Sequence, residues 1–119
     1  MNTVSGELVI PEGALKVSAA QVVVRVRDTT YSDAPAVEPV AQEVLVADVA
    51  PGAHIPFSIE VPVDALDRVA RGEMELNLEV HVDLDGSGNF SGGDLVSMRP
   101  QPVGPDTPDQ ALVIALTLV

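Results

Sequence analysis

Asp83, Asp85, Ser87, Asn89, Ser91 and Asp94 fall at positions 1, 3, 5, 7, 9 and 12 of a twelve-residue stretch, with Gly88 at position 6. That spacing lets one short piece of chain wrap a calcium ion. A hard cation needs six or more oxygens at short range, and a chain supplies them only by turning sharply. Gly88 permits the turn because it has no Cβ to clash. In this reading Asp83, Asp85 and Ser87 converge through their side chains and Asn89 gives its backbone carbonyl. Ser91 acts directly or through a water, Asp94 closes the site, and Phe90 tucks its ring into the core. Position 5 is Ser rather than Asp or Asn, and position 12 is Asp rather than Glu, so its shorter arm delivers fewer oxygens. The remaining carboxylates predict weak to moderate binding, roughly 10⁻⁴–10⁻³ M. The competing reading is a bare solvated turn, since Asp-Gly and Gly-Gly are turn dipeptides in any case.

The flanks decide what holds such a loop. Residues Met74 to Val82 alternate apolar and polar, the period of a strand, and Gly93 to Met98 reads as a second short strand. The loop at 83–94 is therefore expected at the tip of a β-hairpin, not between the two helices of an EF-hand. Upstream, Thr3 to Ile10 alternates weakly. Gln21 to Arg27 is a clear strand with Val22, Val24 and Val26 on one side and Gln21, Arg25 and Arg27 on the other. Asp28 to Pro39 has no period and predicts a long loop. Val40 to Ala47 resumes strand character, and Pro51-Gly52 is a turn. Ile55, Phe57, Ile59 and Val61 are expected to face inward, with Pro56 marking an edge or a strand start. Asp64 to Arg71 suits one or two helical turns, with Asp64 as N-cap. Arg99 to Pro105 reads as an irregular connection. Gln110 to Val119 is apolar on both faces and predicts a central or doubly covered strand. Seven candidate strands and at most one short helix predict an all-β fold. An antiparallel β-sandwich of immunoglobulin-like or prealbumin-like type is preferred, with a closed barrel as the alternative.

Composition narrows the function classes. A chain of 119 residues makes a single domain, 1–119, with one core. The core must be aliphatic, because Tyr31, Phe57 and Phe90 are the only aromatic residues. A net charge of −12 with one lysine, Lys16, disfavours nucleic acid and anionic membrane as partners and favours cations. With no cysteine there is no disulfide, thiolate nucleophile or zinc-thiolate site. No apolar run reaches the length of a membrane span. No signal peptide is expected at Met1-Asn2-Thr3, with a leader or anchor removed ahead of it as the alternative.

The catalytic inventory is thin. His54 lies beside a turn. His81 shares a strand face with Glu79 and Asp83, which allows a general base or a metal ligand but suits an ordinary solvated histidine better. Glu75, Glu79 and Asp83 form an acidic stripe, expected to be a solvated sheet face in a chain with few substrate-stacking aromatics. No serine stands in a nucleophile elbow, and the glycines at 86–93 precede a strand rather than a helix, so no phosphate cradle is expected. Enzyme activity is not expected.

Several short pieces recur in a known order: Val4-Ser5-Gly6, Pro11-Glu12-Gly13-Ala14, Val22 to Val26 with Arg27-Asp28, Ser32-Asp33-Ala34-Pro35-Ala36, Gln42-Glu43, Pro51-Gly52 and Ile55-Pro56-Phe57. In these the chain resembles the YbaY/YscW-type lipoproteins of bacteria, a pilotin-like family associated with type III secretion. The resemblance covers about residues 4–62, with a weaker echo over Met98 to Val103. It implies a small β-sandwich in the periplasm or at the outer membrane of a Gram-negative cell, usually tethered through a lipidated cysteine, which this sequence lacks. Two functional expectations follow. The first is a non-enzymatic calcium-binding module of the envelope. The alternative is a pilotin-like chaperone or assembly factor that binds a peptide of an envelope or secretion protein in an apolar groove or along a strand edge.

Overall fold

Side chains of a strand point alternately to opposite faces, so each alternating segment above can bury one row and leave the other wet. The computed structural model describes residues 2–14, 16–29, 39–83, 95–97, 101–107 and 111–118. Among them nine strands and one helix follow in the order β1 (Asn2–Val9), β2 (Val17–Asp28), β3 (Ala41–Val49), β4 (His54–Val61), α1 (Val63–Ala70), β5 (Leu76–Asp83), β6 (Leu95–Val96), β7 (Gln101–Val103), β8 (Ala111–Ala115) and β9 (Thr117–Leu118). They form a three-stranded sheet, β4-β1-β8, and a six-stranded sheet, β3-β2-β5-β6-β9, with β7 also paired to β5. All pairs are antiparallel except β1 with β8, which is parallel.

The core lies between the two sheets. From the larger come Val22, Val24 and Val26 of β2 and Leu76, Leu78, Val80 and Val82 of β5. From the smaller come Val4 and Leu8 of β1, Ile55, Phe57, Ile59 and Val61 of β4, and Leu112 and Ile114 of β8. Among the described residues it is aliphatic apart from Phe57. Helix α1 bridges the sheets between β4 and β5 and buries Ala65 and Leu66. It starts two residues before the expected position. Pro62 is the N-cap with no side-chain bond, and Asp64 sits in the first turn, where its charge suits the helix dipole rather than capping it. Gly72, at φ 74°, ends the helix. Its N–H donates to the Val69 carbonyl and the Glu73 N–H donates to the Arg68 carbonyl, the paired bonds of a Schellman stop.

Three expectations are corrected. Residues 101–103 are not irregular: they pair with Leu76 to Leu78, because an extended strand accepts Pro102 where its missing N–H is not needed. The last strand is neither central nor continuous. β8 is an edge of the small sheet and exposes Ala111, Val113 and Ala115, while β9 joins the large sheet after a break at Leu116, whose N–H still donates to the Val9 carbonyl. The apolar second face is uncovered over 111–115, where the small residues Ala111 and Ala115 flank the one large exposed group, Val113. Finally, Asp83 and His81 are not solvated, although they lie on the outer face of the large sheet: 4 % and 8 % of their surface is exposed.

A close approach between backbones fixes the small sheet. Gly6 faces Leu112 across the parallel pair, and a Cβ placed there would lie 2.2 Å from the Leu112 carbonyl oxygen.

Candidate functional site

The hairpin expected to carry the calcium loop exists at its base: β5 and β6 pair antiparallel, with Val82 opposite Leu95 and His81 opposite Val96. The pairing sets the end of β5 beside the start of β6. Asp83 closes β5 opposite Gln21 of β2. Asp85, Ser87, Asn89, Ser91 and Asp94, with Gly88 and Phe90, lie outside the described residues. Among the described residues, no group of three or more His, Asp or Glu side chains could hold a metal ion.

His81 sits on the outer face of the large sheet, in a cross-strand row of Val44, Val23, His81 and Val96. Its apolar neighbours Val23 and Val96 explain why the ring is covered. A small pocket of about 70 Å³ lies beside it, lined in part by Arg25, Glu79 and Ser97. One row along, the acidic stripe is tied down. Arg27 donates through Nε to Glu79, Arg25 lies 4.0 Å from the same carboxylate, and Arg25 Nε donates to Gln42 Oε1 at 2.9 Å. These part-exposed pairs contribute little stability, about 0–1 kcal/mol each. They hold Glu79 to its neighbouring strand rather than presenting it to a substrate. On the small sheet, His54 Nδ1 lies 3.0 Å from Glu7 Oε2 at the exposed surface.

A larger feature lies where two sheet edges face each other. β3 ends the six-stranded sheet and β4 ends the three-stranded one. Between them runs an open cleft of about 600 Å³ beside Thr3, Gln42, Glu43, Ser58 and Glu60. It continues as a space of about 320 Å³ beside Leu45, Pro56 and Phe57, sharing Glu43 and Ser58 with the first part. Glu43 pairs with Val24 and so stands on the core-facing side of β3, yet it is exposed. The sandwich is therefore parted along this side. An inward-pointing charge on an edge strand also discourages unwanted pairing. Sequence reading placed the strand but missed this cleft. Its signal was Glu43 in the apolar phase of Ala41, Leu45 and Ala47. Pro56 was the other half of that signal, since β4 is an edge as its proline predicted.

No helix among the described residues is long and apolar enough to cross a membrane. No family model and no curated protein matches the sequence. Among solved structures, the chain is similar to an alternative pilotin from the type II secretion system of Vibrio cholerae. The TM-score is 0.73 at 14 % identity, and the match covers 98 % of this chain and 96 % of that one. The fold of the whole chain is thus pilotin-like.

Proposed function

We propose that this chain is a non-enzymatic, pilotin-like assembly factor of the bacterial envelope. It would hold an extended segment of a secretion-system partner in the cleft between β3 and β4. The observation that carries the proposal is the parted side of the sandwich, where two strand edges flank one groove. A guest strand gains main-chain bonds from either edge and side-chain contacts from Leu45 and Phe57 below. Glu43 and Glu60 line the cleft in a chain of net charge −12, so the guest is neutral or basic. The likeness to a pilotin over nearly the whole chain supports this reading, as does the YbaY/YscW resemblance, which also suggests the envelope side of a Gram-negative cell. A photoreactive residue at Ser58 should capture a secretion-system protein from envelope extract, whereas one at Gln21, exposed on the far sheet face, should not. Glu43→Lys should weaken binding of the captured segment by about tenfold, or about 1.4 kcal/mol. Equal capture from both positions would end the proposal.

A second reading is favoured by the β5–β6 pairing and the buried Asp83. In it the 83–94 loop binds calcium weakly and stiffens the hairpin. An ion that binds only the folded form stabilises it by about 2.7 kcal/mol at a hundredfold excess over Kd. Calcium at about 10 mM should therefore raise the melting temperature by several degrees for sites near the tight end of the expected range, and EDTA should reverse the shift. Asp85→Ala should abolish the shift and Glu79→Ala should keep it. A melting curve unmoved by calcium would remove this reading and leave the cleft untouched.

A further inference from the structure

Among the described residues no strand pairs with the outer edge of β8, and that edge differs from those of β3 and β4. β3 carries Gln42, Glu43 and Asp48, and β4 carries Pro56 and Glu60. Such charges and prolines keep edges from pairing with other chains. β8 reads Ala111-Leu112-Val113-Ile114-Ala115, with neither charge nor proline. The Leu116 N–H donates to Val9 of β1, so the even-numbered residues of this segment turn their backbone groups toward β1. In a strand the next residues turn theirs the opposite way, so the N–H and C=O of Ala111, Val113 and Ala115 face out of the sheet. The same three side chains lie on the exposed outer face, with Val113 68 % exposed.

The segment is also symmetric about Val113, with Ala at both ends and Leu and Ile between. Two-fold contacts require this kind of self-complementarity. We infer that the β8 edge pairs antiparallel with the β8 edge of a second copy, on a two-fold axis at Val113. Val113 then faces its own equivalent and Ala111 faces Ala115. The outward groups form about six hydrogen bonds, and the two small sheets become one. A second copy is favoured over a foreign strand because each position meets a residue of matching size. The opposing effect is repulsion between two molecules of net charge −12, which salt screens over about 10 Å at 0.1 M. Five residues of edge bury less than a standard interface, so the dimer is weak and strengthens with both concentration and salt.

Sedimentation equilibrium of the full chain, from about 10 μM to about 1 mM in low and high sodium chloride, tests this directly. A monomer–dimer equilibrium that tightens with salt is expected. Val113→Glu should weaken it at least about tenfold, the equivalent of one like-charge clash at the axis, without moving the melting temperature. The sequence has no native cysteine, so single-cysteine variants report position cleanly. Directly opposed residues in such a pair lie about 5.5 Å apart at Cα, within disulfide reach. Val113→Cys should oxidise to a covalent dimer much faster than Val46→Cys, which sits exposed on the β3 edge strand. A monomer throughout the range, or equal cross-linking of the two variants, would overturn the inference.

Discussion

Phe57→Ala should lower the folding free energy by about 4 kcal/mol, within the range for truncating a buried aromatic ring. Phe57 is 5 % exposed and, among the described residues, is the one aromatic side chain in a core otherwise made of Val, Leu, Ile and Ala. Short aliphatic neighbours on paired strands cannot collapse into the space of a whole ring, so a cavity remains and its contacts are lost. A domain of this size is stable by only about 5–15 kcal/mol, so the loss is a large fraction of the total. The melting temperature should fall by roughly 15 °C. Phe57→Leu keeps most of the volume and should lose less than about 1.5 kcal/mol. Urea denaturation of the three proteins gives the comparison. The same ring borders the cleft, so Phe57→Leu, which stays folded, should also bind a cleft-held segment less tightly. A loss under about 1 kcal/mol for the alanine variant would mean that Phe57 is not a core residue.

Gly6→Ala should be nearly as damaging, about 3 kcal/mol, although it adds a single methyl group. A Cβ at this position meets the Leu112 carbonyl oxygen at 2.2 Å and the carbonyl carbon at 2.7 Å. Both atoms are backbone and belong to the paired strand, so neither can rotate away as a side-chain tip would. Relief requires β8 to move off β1, with loss of the parallel ladder from Ser5 to Val9. Hydrogen exchange should show the β8 amides losing protection while β2 and β5 keep theirs. Gly13→Ala, where an added Cβ meets nothing within 4 Å, is the control and should be nearly neutral. Equal melting of the two variants would show that the β1–β8 pair accommodates a Cβ at Gly6.

Much of the fold was legible because period-two alternation is a local signal. Val22-Val24-Val26 and Ile55-Phe57-Ile59-Val61 face inward as read, and Pro56 marks an edge. The hairpin joining β5 to β6 was visible from its flanks. What could not be read depends on partners distant in sequence. His81 and Asp83 occupy the polar phase of their strand, but Val23 and Val96 arrive from either side and cover the histidine. The apolar end of the chain has the pattern of a central strand. It became two short edge pieces because the chain passes from one sheet to the other at Leu116. Of the expected calcium ligands only Asp83 is placed, and its burial came from the sheet, not from the spacing. The cleft arises from two edges about a dozen residues apart in sequence, and no single window of residues announces it.

The parallel pairing of β1 with β8 has a consequence for how the molecule comes into being. The small sheet is assembled from the first and last long strands of the chain, so its closing contacts span nearly the whole length. Closing so large a loop comes late, and topologies dominated by such contacts fold in milliseconds to seconds rather than microseconds. Until residues 111–115 reach β1, both partners present open edges, one of them uncharged and strongly β-forming. A newly made chain is therefore most vulnerable to sticking to its neighbours in that interval, and a folding helper acting during it would raise the yield of native protein.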